Sequence, residues 1–186
     1  SACMCPVHFL SIIISAKIRN NPDVNSPDFF ILLAYKRTCM TENKHEKYMR
    51  AALAEAIKAY EKQEVPVGAV VVLNEAIIAR AHNLTETLKD PTAHAEMQAI
   101  TAAANWLGGK YLTDCTLYVT VEPCAMCAGA IGWRQAHVLV YGTDDEKKGY
   151  SKIKDQLLHP KTKVLHGILE DDCREIMVKF FKRKRT

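Results

Sequence analysis

The sequence lacks any apolar run long enough to cross a membrane. The stretch Phe9 to Ile14 is interrupted by Ser11, and no apolar run in the chain approaches the roughly 20 apolar residues that a spanning helix needs. No Lys or Arg precedes this stretch, so it lacks the basic start of a secretory signal peptide. We therefore expect neither a membrane anchor nor secretion.

A disulfide framework is also missing. The seven cysteines are an odd number, and two of them form the close pair Cys124 and Cys127. This distribution suits a reducing compartment and a metal or redox site better than a small secreted fold held by disulfides. We therefore expect a cytoplasmic protein.

No large excess of one charge sign runs through the chain, whose formal net charge is +4. Basic residues are instead concentrated in the last eight positions, 179–186, which contain no acidic residue. A basic tip on a mildly acidic body predicts contact with a polyanion such as a nucleic acid. A solvated terminus without a partner is the alternative interpretation.

The hydrophobic pattern changes character near residue 40. Residues 1–39 share no periodic pattern with the rest and are interpreted as an extension outside the native fold, whereas 40–186 are expected to form one domain. Five strands are predicted in it, at 66–73, 76–81, 116–121, 137–141 and 163–166. Two strands followed by alternating helices and strands predict a three-layer α/β/α fold around a central mixed sheet of five strands.

Four helices are predicted between and beside these strands. The first begins near residue 41, and its apolar face is predicted from residues spaced four, four and three apart: Met49, Leu53, Ile57 and Tyr60. The second carries Met97 and Leu107 and is expected to stop at Gly108. A short helix covers 125–134, and the last begins near Glu170.

Two short motifs point to a metal. Cys124 and Cys127 are three residues apart, so at the start of a helix their sulfur atoms face the same side. With His94 they form a set of two sulfurs and one nitrogen that suits Zn²⁺. Three protein ligands leave the fourth tetrahedral position for water, so the spacing predicts a catalytic zinc site.

Glu96 is the predicted proton carrier of this site. Zinc lowers the pKa of bound water toward about 7, and a nearby carboxylate can accept its proton and deliver it to a ring nitrogen and a leaving amine. His94 and Glu96 would point in nearly opposite directions on an ideal helix. Both can face the metal only if His94 lies in an irregular first turn, for which Thr92 is the candidate N-cap.

These motifs resemble the bacterial tRNA-specific adenosine deaminases of the cytidine deaminase superfamily. His-x-Glu at 94–96 followed by Pro-Cys-x-x-Cys at 123–127 is the pattern of zinc deaminases, and the segments 90–96 and 116–131 match this family closely. The resemblance implies a cytidine-deaminase-like fold, a Zn²⁺ cofactor and a homodimer. It also implies that the wobble adenosine of a tRNA anticodon stem-loop is converted to inosine.

The same resemblance implies further site residues. Asn83, eleven residues before His94, is expected to contact the base, together with the backbone amide of Ala95. The chain ends like the aromatic and basic C-terminal helix that lies beside the tRNA in this family, with Phe181, Lys182, Arg183, Lys184 and Arg185.

Two alternatives stay open. Thr143 stands where the family usually has Ala, and the segment 159–167 is several residues shorter than the common pattern, which leaves room for a guanine deaminase acting on a free base. The other alternative is a non-catalytic, zinc-stabilised RNA-binding module. Glu96 argues against such a module, because a structural site has no use for a carboxylate beside an open metal position.

Overall fold

The computed structural model describes the backbone of residues 27–185 and the side chains of 44–185. The chain divides into two compact units, residues 1–42 and 43–186, and all the predicted site residues belong to the second. Most of 1–39 lies outside the described residues, so the exclusion of this segment from the native fold stays a prediction.

The described residues form five helices, five strands and one 3₁₀ turn. They are α1 (Pro27–Glu61), β1 (Gly68–Leu73), β2 (Ala76–His82), α2 (Thr85–Leu88), α3 (Ala95–Leu107), β3 (Thr116–Val121), α4 (Ala125–Arg134), β4 (Val138–Thr143), a 3₁₀ turn (Tyr150–Lys152), β5 (Lys163–His166) and α5 (Glu170–Arg183). Helix α3 ends as predicted, with Gly108 in the left-handed conformation (φ 62°) that a glycine adopts without strain. Among the described residues, no helix is long and apolar enough to cross a membrane.

The five strands form one mixed sheet in the order β2-β1-β3-β4-β5. Strand β1 is antiparallel to both of its neighbours, whereas β3, β4 and β5 are parallel to one another. Consecutive residues of β3 enter opposite cores, since Leu117 and Val119 pack with α3 and α4 while Tyr118 packs with α1 and α5. The three-layer α/β/α fold expected from the sequence is therefore confirmed.

The predicted face of the first helix is only partly right. Met49 is fully buried, but Ile57 is 49% exposed. A side chain at Gly68 would overlap the backbone of Ala52, so α1 lies too close to β1 for large side chains between them. The buried stripe consists mainly of small residues instead: Tyr48, Met49, Ala52, Ala56 and Ala59.

The start of this helix also differs from the prediction. Helix α1 begins at Pro27, well before residue 41, and so runs across the predicted domain boundary at residue 40. The two compact units divide close to that boundary, after Glu42.

Candidate metal and catalytic site

The candidate metal ligands lie where two helices begin on the same face of the sheet. His94 immediately precedes α3 and Cys124 immediately precedes α4, both with extended backbone (φ −68°, ψ 154° and φ −72°, ψ 172°). Neither side chain caps its own helix, so both are available for other contacts. Because His94 lies outside the helix, Glu96 can face the same side although it is only two residues away.

The predicted role of Thr92 as N-cap is wrong. His94 occupies that position, and the Thr92 hydroxyl donates instead to Oδ1 of Asp90 at 2.7 Å. The Thr92 amide donates to the same oxygen at 2.7 Å. This turn directs the chain into α3 without capping it.

Three ligand atoms converge at the two helix starts. Nδ1 of His94 lies 3.7 Å from Sγ of Cys124 and 3.5 Å from Sγ of Cys127, and all three atoms lie within 4.8 Å of one another. Zinc–sulfur bonds of about 2.3 Å and a zinc–nitrogen bond of about 2.0 Å at tetrahedral angles would separate nitrogen from sulfur by roughly 3.5 Å. The arrangement therefore fits one tetrahedral ion, and no other such cluster of His, Cys, Asp or Glu occurs among the described residues.

The two thiols have opposite electrostatic environments. A hydrogen bond from the Cys127 thiol, assisted by His94, lowers the pKa of Cys124 to about 4. The same contact with Cys124, together with burial, raises the pKa of Cys127. Cys124 is therefore the more readily ionised of the two thiols, and the positive charge of a metal ion would favour the thiolate form of both.

Glu96 is a buried carboxylate beside these ligands. Its side chain lies in the first turn of α3, and the residue is only 4% exposed. Burial raises the pKa of Glu96 to about 6, although a hydrogen bond from its own backbone amide opposes this. A carboxyl group that titrates near neutral pH can both accept and deliver a proton, as general acid–base catalysis requires.

The predicted base contacts, Asn83 and Ala95, belong to the loop after β2 and to the first turn of α3. The Leu84 amide donates to the Ala93 carbonyl at 3.0 Å, which joins the loop after β2 to the residue before His94. Asn83 is buried in this loop. Ala95 is also fully buried, and as the first residue of α3 its amide has no partner within the helix.

A cavity of about 330 Å³ with a basic rim opens beside Cys124. This rim was not predicted from the sequence. Three exposed lysines line it together with Met126 and Gly149: Lys147, Lys148 and Lys152. A hydrogen bond to Cys124 raises the pKa of His94, and the charge of Lys148 opposes that rise. The Lys-Lys-Gly-Tyr-Ser-Lys run at 147–152 was the signal that could have revealed this rim.

Glu122 holds the lysine-bearing loop against the start of α4. Its buried carboxylate accepts hydrogen bonds from the amides of Asp145 (3.1 Å) and Ser151 (2.9 Å). A side chain at Gly149 would overlap this carboxylate. The loop position therefore depends on a contact that the sequence pattern does not reveal.

The C-terminal segment packs on the α1 side of the sheet, opposite the candidate ligands. Phe180 is fully buried with its ring 6.2 Å from that of Tyr60, whereas Phe181 is 43% exposed. The Arg183 guanidinium lies 4.6 Å from the centre of the Tyr60 ring, and Nζ of Lys184 lies 5.0 Å from that of Phe180. The predicted RNA-contacting residues are thus exposed but are anchored to a different helix layer from the metal cluster.

Comparison with known proteins identifies the family. The profile of the cytidine and deoxycytidylate deaminase zinc-binding region matches residues 42–143. The chain belongs to this deaminase family. It is 45% identical over 145 residues to the tRNA-specific adenosine deaminase of Bacillus subtilis, which covers 75% of this chain and 90% of that protein.

Two solved structures extend the comparison. One, from work on A-to-I editing by tRNA:A34 deaminases at the wobble position of transfer RNA, is 41% identical with a TM-score of 0.66 and covers 70% of this chain and 98% of its own. A guanine deaminase of Bacillus subtilis is also 41% identical, with a TM-score of 0.52, but covers only 54% of this chain and 64% of its own. The deaminase fold is therefore shared more completely with the tRNA enzyme.

Proposed function

We propose that this protein is a zinc-dependent hydrolase that converts the wobble adenosine of a tRNA anticodon to inosine. The observation that carries this proposal is the convergence of His94, Cys124 and Cys127 beside the buried carboxylate of Glu96. The adenosine and tRNA specificity is supported by the Bacillus subtilis relative, which the chain matches over 90% of that protein's length.

In this proposal, Nδ1 of His94 and the sulfurs of Cys124 and Cys127 hold the ion. Zinc in such a site supplies Lewis acidity that makes hydroxide available from water at neutral pH. The donor set fits, because two sulfurs and one imidazole are typical zinc ligands and leave one position open. The buried start of α3 separates the reacting atoms from bulk water.

Glu96 moves the protons of the hydrolysis. It accepts one proton from the attacking water and delivers it to N1 of the purine ring, and it then transfers the second to the departing amine. The oxygen of water remains on C6, and ammonia leaves. The elevated pKa that burial gives to Glu96 suits both directions of transfer.

Asn83 and the Ala95 amide are proposed to hold the purine. The free amide at the start of α3 can donate to a ring acceptor, and the Asn83 side chain offers both a donor and an acceptor. Both residues are buried, so a polar base edge that fails to pair with them would lose solvation. Such a site discriminates between bases by hydrogen bonding.

The lysine rim supports a nucleic acid over a free base. Lys147, Lys148 and Lys152 border the cavity beside Cys124, where the phosphates flanking an extruded base would lie. The exposed end of the chain adds a second basic surface with one half-exposed aromatic ring, composed of Phe181, Lys182, Arg183, Lys184 and Arg185. A small neutral base requires neither surface.

A homodimer is supported by the exposed face of α4. Met126 and Trp133 lie seven residues apart on this helix and are 37% and 85% exposed, and the space beside Gly129 between them is open. Large apolar side chains exposed on one face mark an interaction surface. We assign this face to a second copy of the chain, as the family resemblance implies.

A cytoplasmic location is supported by the cysteines. The four that the structure describes are all free thiols: Cys115, Cys124, Cys127 and Cys173. Free thiols at a metal site persist in a reducing compartment, which is also where tRNA is available.

The deciding experiment compares substrates in parallel. Purified protein is incubated with a tRNA anticodon stem-loop and, separately, with free guanine, cytosine and adenosine, and inosine or the corresponding deaminated product is measured. We expect inosine in the stem-loop alone. Turnover of guanine without the stem-loop would favour the guanine deaminase, and zinc-loaded protein inert toward all four would favour the binding module.

A further inference from the structure

Glu64 is a fully buried carboxylate to which the proposed reaction gives no role. It follows the end of α1, after Gln63 turns the chain with a positive φ of 63°. An ionised carboxyl group is costly to bury unless hydrogen bonds satisfy it. The partners of Glu64 therefore indicate what this residue does.

Two of these partners are backbone amides at the start of α2. Oε1 of Glu64 accepts from the Thr87 amide at 2.7 Å, and Oε2 accepts from the Glu86 amide at 3.0 Å. Leu84, at the N-cap position of this short helix, has no side chain that can cap it. Glu64 thus caps α2 from about twenty positions earlier in the chain.

Burial alone raises the pKa of Glu64. The hydrogen bonds from the amides of Glu86 and Thr87 outweigh that effect, so the pKa lies below its usual value. Glu64 is therefore ionised at neutral pH and can only accept hydrogen bonds.

A third partner is the side chain of Asn83. Its Nδ2 lies 3.2 Å from Oε2 of Glu64 and 2.9 Å from Oγ1 of Thr85. The two ends of an asparagine amide are nearly identical in shape, so packing alone does not orient them. An ionised carboxylate does, because it attracts the NH₂ group and repels the carbonyl oxygen.

We propose that Glu64 is a positioning residue for base recognition. It orients the side-chain amide of Asn83 so that Nδ2 faces the Glu64 carboxylate. It also holds the loop at 83–87 by capping α2. This inference rests on the proposed function, in which Asn83 contacts the base. Glu64 acts through Asn83 and does not itself touch the substrate.

The test begins with Glu64→Gln, which keeps the shape and removes the charge. Its carbonyl can still accept from the Thr87 amide, but its NH₂ group then faces both the Glu86 amide and Nδ2 of Asn83, which favours the flipped Asn83 amide. We expect kcat/KM for the stem-loop to fall about ten- to a hundredfold, with zinc content unchanged. Parent-like kcat/KM would overturn the inference.

A double-mutant cycle separates positioning from general stabilisation. In the background of Asn83→Ala, adding Glu64→Gln should lower kcat/KM by less than about twofold, because its effect passes through the missing amide. Losses that multiply would show that Glu64 acts on the fold and would overturn the inference. Should Glu64→Gln fail to fold, Glu64→Asp, which keeps the charge but shortens the reach toward Nδ2 of Asn83, enters the same cycle with the same expectations.

Glu55→Gln is the matched control. Glu55 is also a buried carboxylate, but its partners are Nζ of Lys58 at 2.7 Å and Nδ1 of His82 at 3.2 Å. We expect this variant to lose thermal stability with kcat/KM unchanged. An equal loss of kcat/KM in both variants would overturn the specific role of Glu64.

The cycle also distinguishes failure of the proposed base contact. If Asn83→Ala alone retains parent kcat/KM, the base contact in the proposed function is wrong, and the role of Glu64 falls with it. If Asn83→Ala is impaired but Glu64→Gln is not, the base contact stands and only the inference about Glu64 is overturned.

Discussion

His94 and Cys127 lie 33 positions apart in the chain, yet Nδ1 of one lies 3.5 Å from Sγ of the other. Helices α3 and α4 pack on the same face of the sheet and begin near each other, which brings the two residues together. His94 precedes its helix while Cys127 lies within the first turn of the other. Both side chains therefore meet at the N-terminal ends of two helices. The positive end of the helix dipole favours the thiolate form of Cys127 there.

Replacing a cysteine of the cluster should remove the metal. We expect the parent to contain about one zinc ion per chain and Cys127→Ser to contain almost none, because a neutral hydroxyl is a poor substitute for thiolate. Activity should disappear with the metal. Mass spectrometry of the purified proteins measures zinc content. Cys115→Ser, at a buried thiol outside the cluster, is the control that should retain zinc, and full occupancy in Cys127→Ser would contradict the ligand set.

Replacing Glu96 should separate metal binding from turnover. Glu96→Gln keeps the size of the side chain but cannot accept the proton, so we expect full zinc content and a fall in kcat of about 10²–10⁴-fold. Zinc analysis and single-turnover deamination of the stem-loop check this. A variant that retains most of the activity would remove Glu96 from the mechanism.

The two basic surfaces should contribute unequally to RNA binding. Replacing Lys147, Lys148 and Lys152 with Gln should weaken stem-loop binding. The slope of the logarithm of the binding constant against the logarithm of the salt concentration should become shallower by about 0.7 for each phosphate that the variant no longer neutralises. The quadruple Gln variant of residues 182–185 should change the slope less, because Arg183 and Lys184 lie over aromatic rings. Fluorescence anisotropy over a range of salt concentrations measures both. Parent-like slopes in both variants would favour the free-base deaminase.

A charge on the exposed face of α4 should disrupt self-association. Trp133 is 85% exposed, so Trp133→Lys should fold normally as a monomer yet be unable to pack its side chain against a second copy. Sedimentation at matched concentrations should show a dimer for the parent and a monomer for the variant. Trp106→Lys is the control, since Trp106 is also exposed (63%) but lies on α3. Identical sedimentation of Trp133→Lys and the parent would place the interface elsewhere.

Glu64 should make the stability of the fold depend on pH. Its pKa is below the usual value in the folded protein, so the stabilisation is present above the unfolded-state pKa of about 4.3 and is lost as the pH falls through the lower, folded-state pKa. The difference in melting temperature between the parent and Glu64→Gln should therefore be largest at neutral pH and shrink below about pH 4. A difference that is constant from pH 7 to pH 3 would contradict the ionised contact.

Local patterns in the sequence predicted most of the framework. Strands β1 and β2 follow from runs rich in Val and Ile, and the end of α3 follows from Gly108, because both signals act within a few residues of one another. The candidate ligands could also be named, since Cys124 and Cys127 share a helix turn and His94 lies two residues from Glu96. Chemistry that depends on short spacings can be recognised without a structure.

Tertiary structure alone decided the contacts that join distant segments. The position of the Lys147 loop depends on Glu122, and the orientation of Asn83 depends on Glu64, 19 residues away. The buried stripe of α1 follows from its backbone approach at Gly68, which no helical periodicity reveals. A glutamate has the same secondary-structure propensity whether its carboxylate is solvated or buried. Only packing therefore determines which backbone amides donate to Glu64 and Glu122.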